Sequence, residues 1–201
     1  MSEDILDPIC IYDALPEKTC DFLNAFAYQN PAAFVSDDQV IPQFKNKTIA
    51  YKVLHRTMPD PFGQVERVLN YARFIGQRAI FEEYGDFAFP ENTELTRWFP
   101  GDSMSVHADN EWQEEFANAM KDDPHPTGYR DYSGIFYLND TYEGGEIYFP
   151  RLDIEIKPKK GSLLIFPSGL DHSHGVREVK KENRYTIAVW YSKQEPYVEY
   201  Q

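Results

Sequence analysis

Residues 132–166 read YSGIFYLNDTYEGGEIYFPRLDIEIKPKKGSLLIF. Four short apolar runs, 132–138, 145–149, 152–157 and 162–166, are separated by Asn139-Asp140, Pro150-Arg151 and Pro158-Lys159-Lys160-Gly161. Turn-forming residues at such close intervals punctuate consecutive β-strands rather than helices. Further runs lie on either side: 95–99 and 103–108 before, 174–179 and 184–192 after. Eight closely spaced segments predict a jelly roll, two sheets folded over a central cavity. The fold class expected is therefore mainly β with flanking helices.

The helices are expected upstream. A short strand-like piece at Ile9–Tyr12 precedes Leu15-Pro16-Glu17, after which Cys20, Leu23, Phe26 and Ala27 recur at helical spacing. Pro16 suits a helix's first turn, and Asn30-Pro31 should end it, because a residue before proline is pushed out of the α region. Residues 49–54 read as a strand. A second helix over 63–84 carries Val65, Val68, Leu69, Ala72, Ile75, Ala79 and Ile80 on one stripe and should pack across a sheet. Between Asn110 and Arg130 an acidic insert places Trp112, Phe116, Ala119 and Met120 on one helical face. It reads either as a surface connection or as a lid beside the site. The expectation is one domain over 1–201, with 1–94 supporting a core at 95–192.

Composition narrows the class of function. The chain of 201 residues has 14 Tyr and 14 Phe, enough to favour a packed interior over disorder. A formal net charge of −13 disfavours a nucleic-acid partner, since an acidic surface repels phosphates. Nothing in the sequence reads as a membrane span or a secretory leader. The only thiols, Cys10 and Cys20, are expected free, which points to a reducing, cytoplasmic setting.

The chemistry-bearing residues lie in the β-rich half. His107 and Asp109 are two apart, which on a strand sends both side chains to one face. Two imidazoles and a carboxylate are the donor set that holds ferrous iron on one face and leaves other positions open. His172 and His174 compete for the third place. His174 is preferred because it opens the strand His174-Gly175-Val176, ten residues before Arg184, whereas His172 falls in a turn and is assigned to the surroundings or rim of the site. His55 and His125 read as structural and exposed. Arg184 begins the last strand and shares a face with Thr186, Ala188 and Trp190. If that face is interior, its guanidinium needs an anionic partner, and a substrate carboxylate provides one. Tyr137 could add a hydroxyl donor to the same carboxylate.

Tyr137-Leu138-Asn139-Asp140, Glu143-Gly144-Gly145-Glu146, Phe149-Pro150, Pro158-Lys159-Lys160-Gly161, Leu164-Ile165-Phe166, His174-Gly175-Val176 and Arg184-Tyr185 come in an order and spacing that resembles the prolyl 4-hydroxylase-type 2-oxoglutarate/Fe(II) oxygenases. The resemblance covers roughly 95–192 and implies a double-stranded β-helix. By position it implies His107, Asp109 and His174 as iron ligands, Arg184 as the partner of the distal carboxylate of 2-oxoglutarate, Tyr137 as its assistant, and Trp190 as an aromatic near the end of the last core strand. Met104, Ile147 and Arg184 depart from the tyrosine, threonine and lysine of collagen-type members. Asp109, a carboxylate, speaks against the halogenating relatives. The implied cofactors are Fe(II) and 2-oxoglutarate, with ascorbate as an optional addition. The implied reaction, with dioxygen, hydroxylates a C–H bond of a prolyl or other residue in a peptide or protein and releases succinate and carbon dioxide. The alternatives are a free amino acid or small metabolite as substrate and, from another class, a non-catalytic metal-binding interaction module.

Overall fold

A computed structural model of the chain describes residues 7–36, 52–54, 63–110 and 129–194. The expectations at His55, His125, the 111–128 insert and the end of the chain lie outside these residues. Thirteen strands are described: β1 (Ile9–Ile11), β2 (Phe34–Ser36), β3 (Lys52–Leu54), β4 (Phe89–Trp98), β5 (Met104–His107), β6 (Tyr132–Tyr137), β7 (Glu143–Gly144), β8 (Ile147–Phe149), β9 (Ile154–Ile156), β10 (Leu163–Pro167), β11 (His174–Val176), β12 (Val179–Lys181) and β13 (Arg184–Ser192). Helices α1 (Glu17–Gln29) and α2 (Gln64–Tyr84) precede β4.

The strands form a seven-stranded sheet in the order β1-β10-β6-β13-β4-β3-β2, a four-stranded sheet in the order β5-β11-β8-β9, and the pair β12-β7. Every pairing is antiparallel. This is the expected jelly roll, refined in three places. The strand expected at 95–99 starts earlier, at Phe89, because β13 offers it a partner from Arg184 to Ser192, with one register shift between Val189 and Tyr191. The run expected at 145–149 shortens to Ile147–Phe149, which pairs with β11, and a separate strand, Glu143–Gly144, precedes it; the run expected at 174–179 divides between β11 and β12, which pair with β8 and β7 respectively.

The pleat of the large sheet separates two interiors. On β13 the residues Tyr185, Ile187, Val189 and Tyr191 face the helices, and on β10 Leu163 and Ile165 do the same. Alternate residues turn the other way, so that Leu164 and Phe166 meet Ile147 and Phe149 of the smaller sheet. Burying each such Leu, Ile or Phe contributes about 1.5–3 kcal/mol, which makes both layers energetically substantial. A 13-residue helix such as α1 is marginal alone, and its stability comes from packing Cys20, Leu23 and Ala27 onto the sheet. Asn24 Nδ2 also donates to the Leu138 carbonyl at 2.8 Å, and Lys160 Nζ pairs with Asp21 at 2.5 Å. At the helix end Asn30 donates its backbone N–H (3.0 Å) and its side-chain amide (2.9 Å) to the Phe26 carbonyl. On α2, Gly76 lies against Tyr191 so closely that a methyl group there would overlap the phenol. The helix thus backs the strand that ends beside the functional residues. No helix of the described residues is long and apolar enough to cross a membrane.

Candidate active site

β11 pairs with β5 so that His174 stands directly opposite His107, with ring centroids 4.6 Å apart. Asp109 lies in the turn just beyond β5 and not on the strand. Strand alternation is therefore not what aims its carboxylate; the turn does, aided by Asn110 N–H, which donates to the Ser168 carbonyl at 3.3 Å. Asp109 Oδ1 is 3.4 Å from His107 Nε2, and Oδ2 is 3.9 Å from His174 Nε2. One ligand atom from each of the three residues lies within 4.8 Å of the others, and among the described residues this is the group that could hold a metal ion. The His174 side chain is 5% exposed and that of His107 21%, so the cluster opens to solvent on the His107 side.

Each imidazole is oriented by a carbonyl. His107 Nδ1 lies 3.0 Å from the Ser105 carbonyl, and His174 Nδ1 lies 3.0 Å from that of His172. A carbonyl only accepts, so Nδ1 carries the proton and the Nε2 lone pair is left for a metal. His172 is buried in the surroundings of the cluster, the first of the two places expected for it, and its backbone carbonyl sets the tautomer and tilt of His174. Phe166 packs edge-on against the His174 ring at 4.8 Å, and Phe149 lies 5.5 Å away. Burial pushes His174 down to about 4, with the neighbouring His107 adding to the effect against the pull of Asp109. Burial works against ionisation of Asp109, but the two imidazoles and the Ser133 hydroxyl outweigh it and hold its carboxyl well below the usual range. An ionised carboxylate and a neutral imidazole are the protonation states that ligation requires.

Ser133 was not singled out by the sequence reading. Its hydroxyl donates to Asp109 Oδ2 at 2.5 Å and lies 2.8 Å from the Ser168 hydroxyl. The available signal was its place on β6, two alternations before Tyr137 and so on the same inward face.

Further along the interior, β13 pairs Arg184 with Trp98 of β4 and Thr186 with Tyr137 of β6. Arg184 is 1% exposed, so the condition on which its need for an anionic partner depended is met. Its Cζ lies 4.8 Å from the Trp98 ring, 5.1 Å from Tyr137 and 6.0 Å from Tyr142. Nε and Nη1 of Arg184 and the hydroxyls of Tyr137 and Tyr142 are buried with no hydrogen-bond partner. Desolvating an ion costs several kcal/mol, and an aromatic face returns only about 0.5–2 kcal/mol. The rings therefore cannot balance the guanidinium, and an anion with free acceptor sites fits the remaining need. The loop before β8 makes room for this group. Gly144 (φ +73°) and Gly145 (φ +67°) both adopt the left-handed conformation; a side chain at Gly144 would strike the Glu178 carbonyl, and one at Gly145 would come 3.0 Å from Arg184 Cδ. Tyr142 was also missed from sequence, for it lies between strands where alternation assigns no face.

The description "2OG-Fe(II) oxygenase superfamily" matches residues 93–192. Over 95 residues, 45% of this chain, the sequence is 39% identical to human prolyl 3-hydroxylase 2, and that stretch is 13% of the relative's length. Among solved structures, the viral collagen prolyl hydroxylase of Paramecium bursaria Chlorella virus-1, determined as its 2OG complex, has a TM-score of 0.65 at 20% identity and covers 94% of this chain and 96% of its own. A Trichoplax adhaerens prolyl hydroxylase in complex with a hypoxia inducible factor peptide fragment has a TM-score of 0.68 at 18% identity, covering 92% and 83%. The matched span begins within β4 and ends with β13, and so includes every residue of the histidine–aspartate cluster and of the buried guanidinium's surroundings. The chain belongs to the 2OG-Fe(II) oxygenase superfamily, and it is similar in sequence over that stretch and in fold to prolyl hydroxylases.

Proposed function

We propose that His107, Asp109 and His174 hold one ferrous ion, that Arg184 and Tyr137 anchor the distal carboxylate of 2-oxoglutarate, and that the chain hydroxylates a C–H bond of a prolyl or other residue in a peptide. The observation that carries this reading is the pairing of two features in one interior. A His–Asp–His cluster turns both Nε2 atoms toward its carboxylate, and a buried guanidinium in the same interior has unpartnered N–H groups. Tyr137, Phe149 and Phe166 belong to one packed cluster, and the two phenylalanines also touch His174, so the two features share a wall.

When bound, iron with 2-oxoglutarate and dioxygen supplies the oxidising power, and succinate and carbon dioxide are the coproducts. The chain's own share is orientation. Ser105 and His172 carbonyls fix the two imidazoles, and Ser133 holds one oxygen of Asp109, leaving Oδ1 toward His107. Arg184 and Tyr137 would grip a carboxylate by charge-assisted hydrogen bonds in a water-poor interior, where these are strongest. Burial pushes the Tyr137 phenol up, so it keeps its proton and acts as a donor. The prolyl-peptide reading draws support from the relatives' names; the small-metabolite and non-catalytic readings have no such support. The absence of pairing for Cys10 and Cys20 supports a reducing, cytoplasmic setting.

Anaerobic addition of Fe(II) and 2-oxoglutarate should produce a visible metal-to-ligand charge-transfer band. His174→Ala should abolish it. His172→Ala should preserve it, since the backbone carbonyl does that residue's work. No band from the folded wild-type protein would overturn the reading. With the band established, proline-containing peptides should gain one oxygen in step with succinate formation.

A further inference from the structure

We propose that Tyr142 is a third anchor for the distal carboxylate and strengthens the preference for a 2-oxo diacid over a 2-oxo monoacid, a proposal that rests on reading Arg184 and Tyr137 as the anchor. Tyr142 is 1% exposed, and its hydroxyl has no hydrogen-bond partner. The ring belongs to a packed cluster with Trp98, Val176 and Val179, where phenylalanine would fill the same space without desolvating an oxygen. Among the described residues the group beside that oxygen is the Arg184 guanidinium, itself a donor in need of an acceptor.

The ring is held in place. Lys157 Nζ donates to the Tyr142 carbonyl at 2.6 Å and lies 4.8 Å over the ring. Gly145, where a side chain would come 3.1 Å from Tyr142 Cε2 and 3.0 Å from Arg184 Cδ, lets the loop press both groups into one wall. Burial raises the phenol against the opposing influence of the Arg184 guanidinium beside it, so the hydroxyl stays protonated.

The donors then count against a single ligand type. Arg184 Nε and Nη1, Tyr137 Oη and Tyr142 Oη are four buried atoms that can donate, and none has a partner at full hydrogen-bond geometry. An ionised carboxylate accepts at about four lone-pair sites and donates nothing. A carboxylate that forks onto the guanidinium takes two of its N–H donors, and the Tyr137 and Tyr142 hydroxyls can fill the other two acceptor sites.

The test uses the zinc-loaded protein, which cannot turn over, and calorimetric titration with 2-oxoglutarate and with 2-oxopentanoate, the same carbon chain ending in a methyl group. In Tyr142→Phe, affinity for 2-oxoglutarate should fall on the order of tenfold, as for losing one hydrogen bond to a charged group, while affinity for 2-oxopentanoate stays unchanged. Thermal melts establish that the variant folds; if it does not, Tyr142→Met, flexible enough to fill the space without a donor, is read the same way. Should wild type bind both acids equally, the anchor reading of Arg184 falls and this proposal with it. Should wild type discriminate and Tyr142→Phe discriminate equally well, the anchor stands and the role of Tyr142 is refuted. Equal weakening toward both acids would reduce Tyr142 to packing and also overturn the proposal.

Discussion

Replacing Ser133 by alanine isolates the hydrogen bond that orients the metal-binding carboxylate. The 2.5 Å contact to Asp109 Oδ2 is at the short end for a hydroxyl donating to a carboxylate, and it is shielded from water. Such a bond to a charged group contributes roughly 1.5–3 kcal/mol. Because it forms before the metal arrives, its full worth does not enter the affinity. What enters is the freedom Asp109 gains to turn its carboxylate away from the position in which it can share a metal with His107 and His174. Loss of an outer partner of this kind costs about 10–100-fold in metal affinity. The assay is competition for Mn(II) or Zn(II) against a fluorescent chelator, with thermal melts in parallel. Ser168, 2.8 Å behind Ser133, acts through it. Ser168→Ala should therefore weaken binding by less and have no further effect in the Ser133→Ala background. A Ser133→Ala protein that melts normally and binds metal within about twofold of wild type would refute the orientation argument, since the lower bound expected is tenfold.

Two further outcomes follow from the packing and the protonation states. The metal-free protein should lose stability as pH falls from 6.5 toward about 4, because His174 is buried neutral and the unfolded chain takes up a proton in that window that the folded chain does not. The effect is on the order of 3 kcal/mol, is fully present as stability above the window, and should shrink in His174→Asn when urea melts are compared across pH. Gly76→Ala, which helix propensity favours by about 1 kcal/mol, should instead destabilise the protein by about 1–2 kcal/mol, because overpacking against a buried ring costs more. The added methyl would overlap Tyr191 and disturb its hydrogen bond to the Arg73 carbonyl. Tyr191→Phe should partly relieve the penalty, and an unchanged or raised melting temperature in Gly76→Ala alone would refute the contact.

The sequence was most legible where periodicity and burial coincide. The α2 stripe lies on the sheet as expected, with Val65, Leu69, Ala72, Ala79 and Ile80 buried. The two faces of β13 were separable by alternation alone: one is covered by the helices, and on the other Arg184 and Thr186 are buried while Ala188 and Trp190 are half-buried. Strand ends were less legible, because a strand lasts only while a neighbour supplies hydrogen bonds, and that neighbour is distant in sequence. β4 runs to ten residues because β13 lies alongside it.

The residue types of the candidate site, their order along the chain and the grouping of Arg184 with Thr186, Ala188 and Trp190 on one face were determined by the sequence, since donor chemistry and strand alternation are local properties; that this face is buried at Arg184 was decided by the fold. Only the tertiary structure decided that His107 faces His174 across a strand pair, that a turn and not a strand aims Asp109, and that Ser133 and Tyr142 belong beside them. These are contacts between segments tens of residues apart or at positions without periodicity, and they are fixed by register and close packing, neither of which a linear pattern carries.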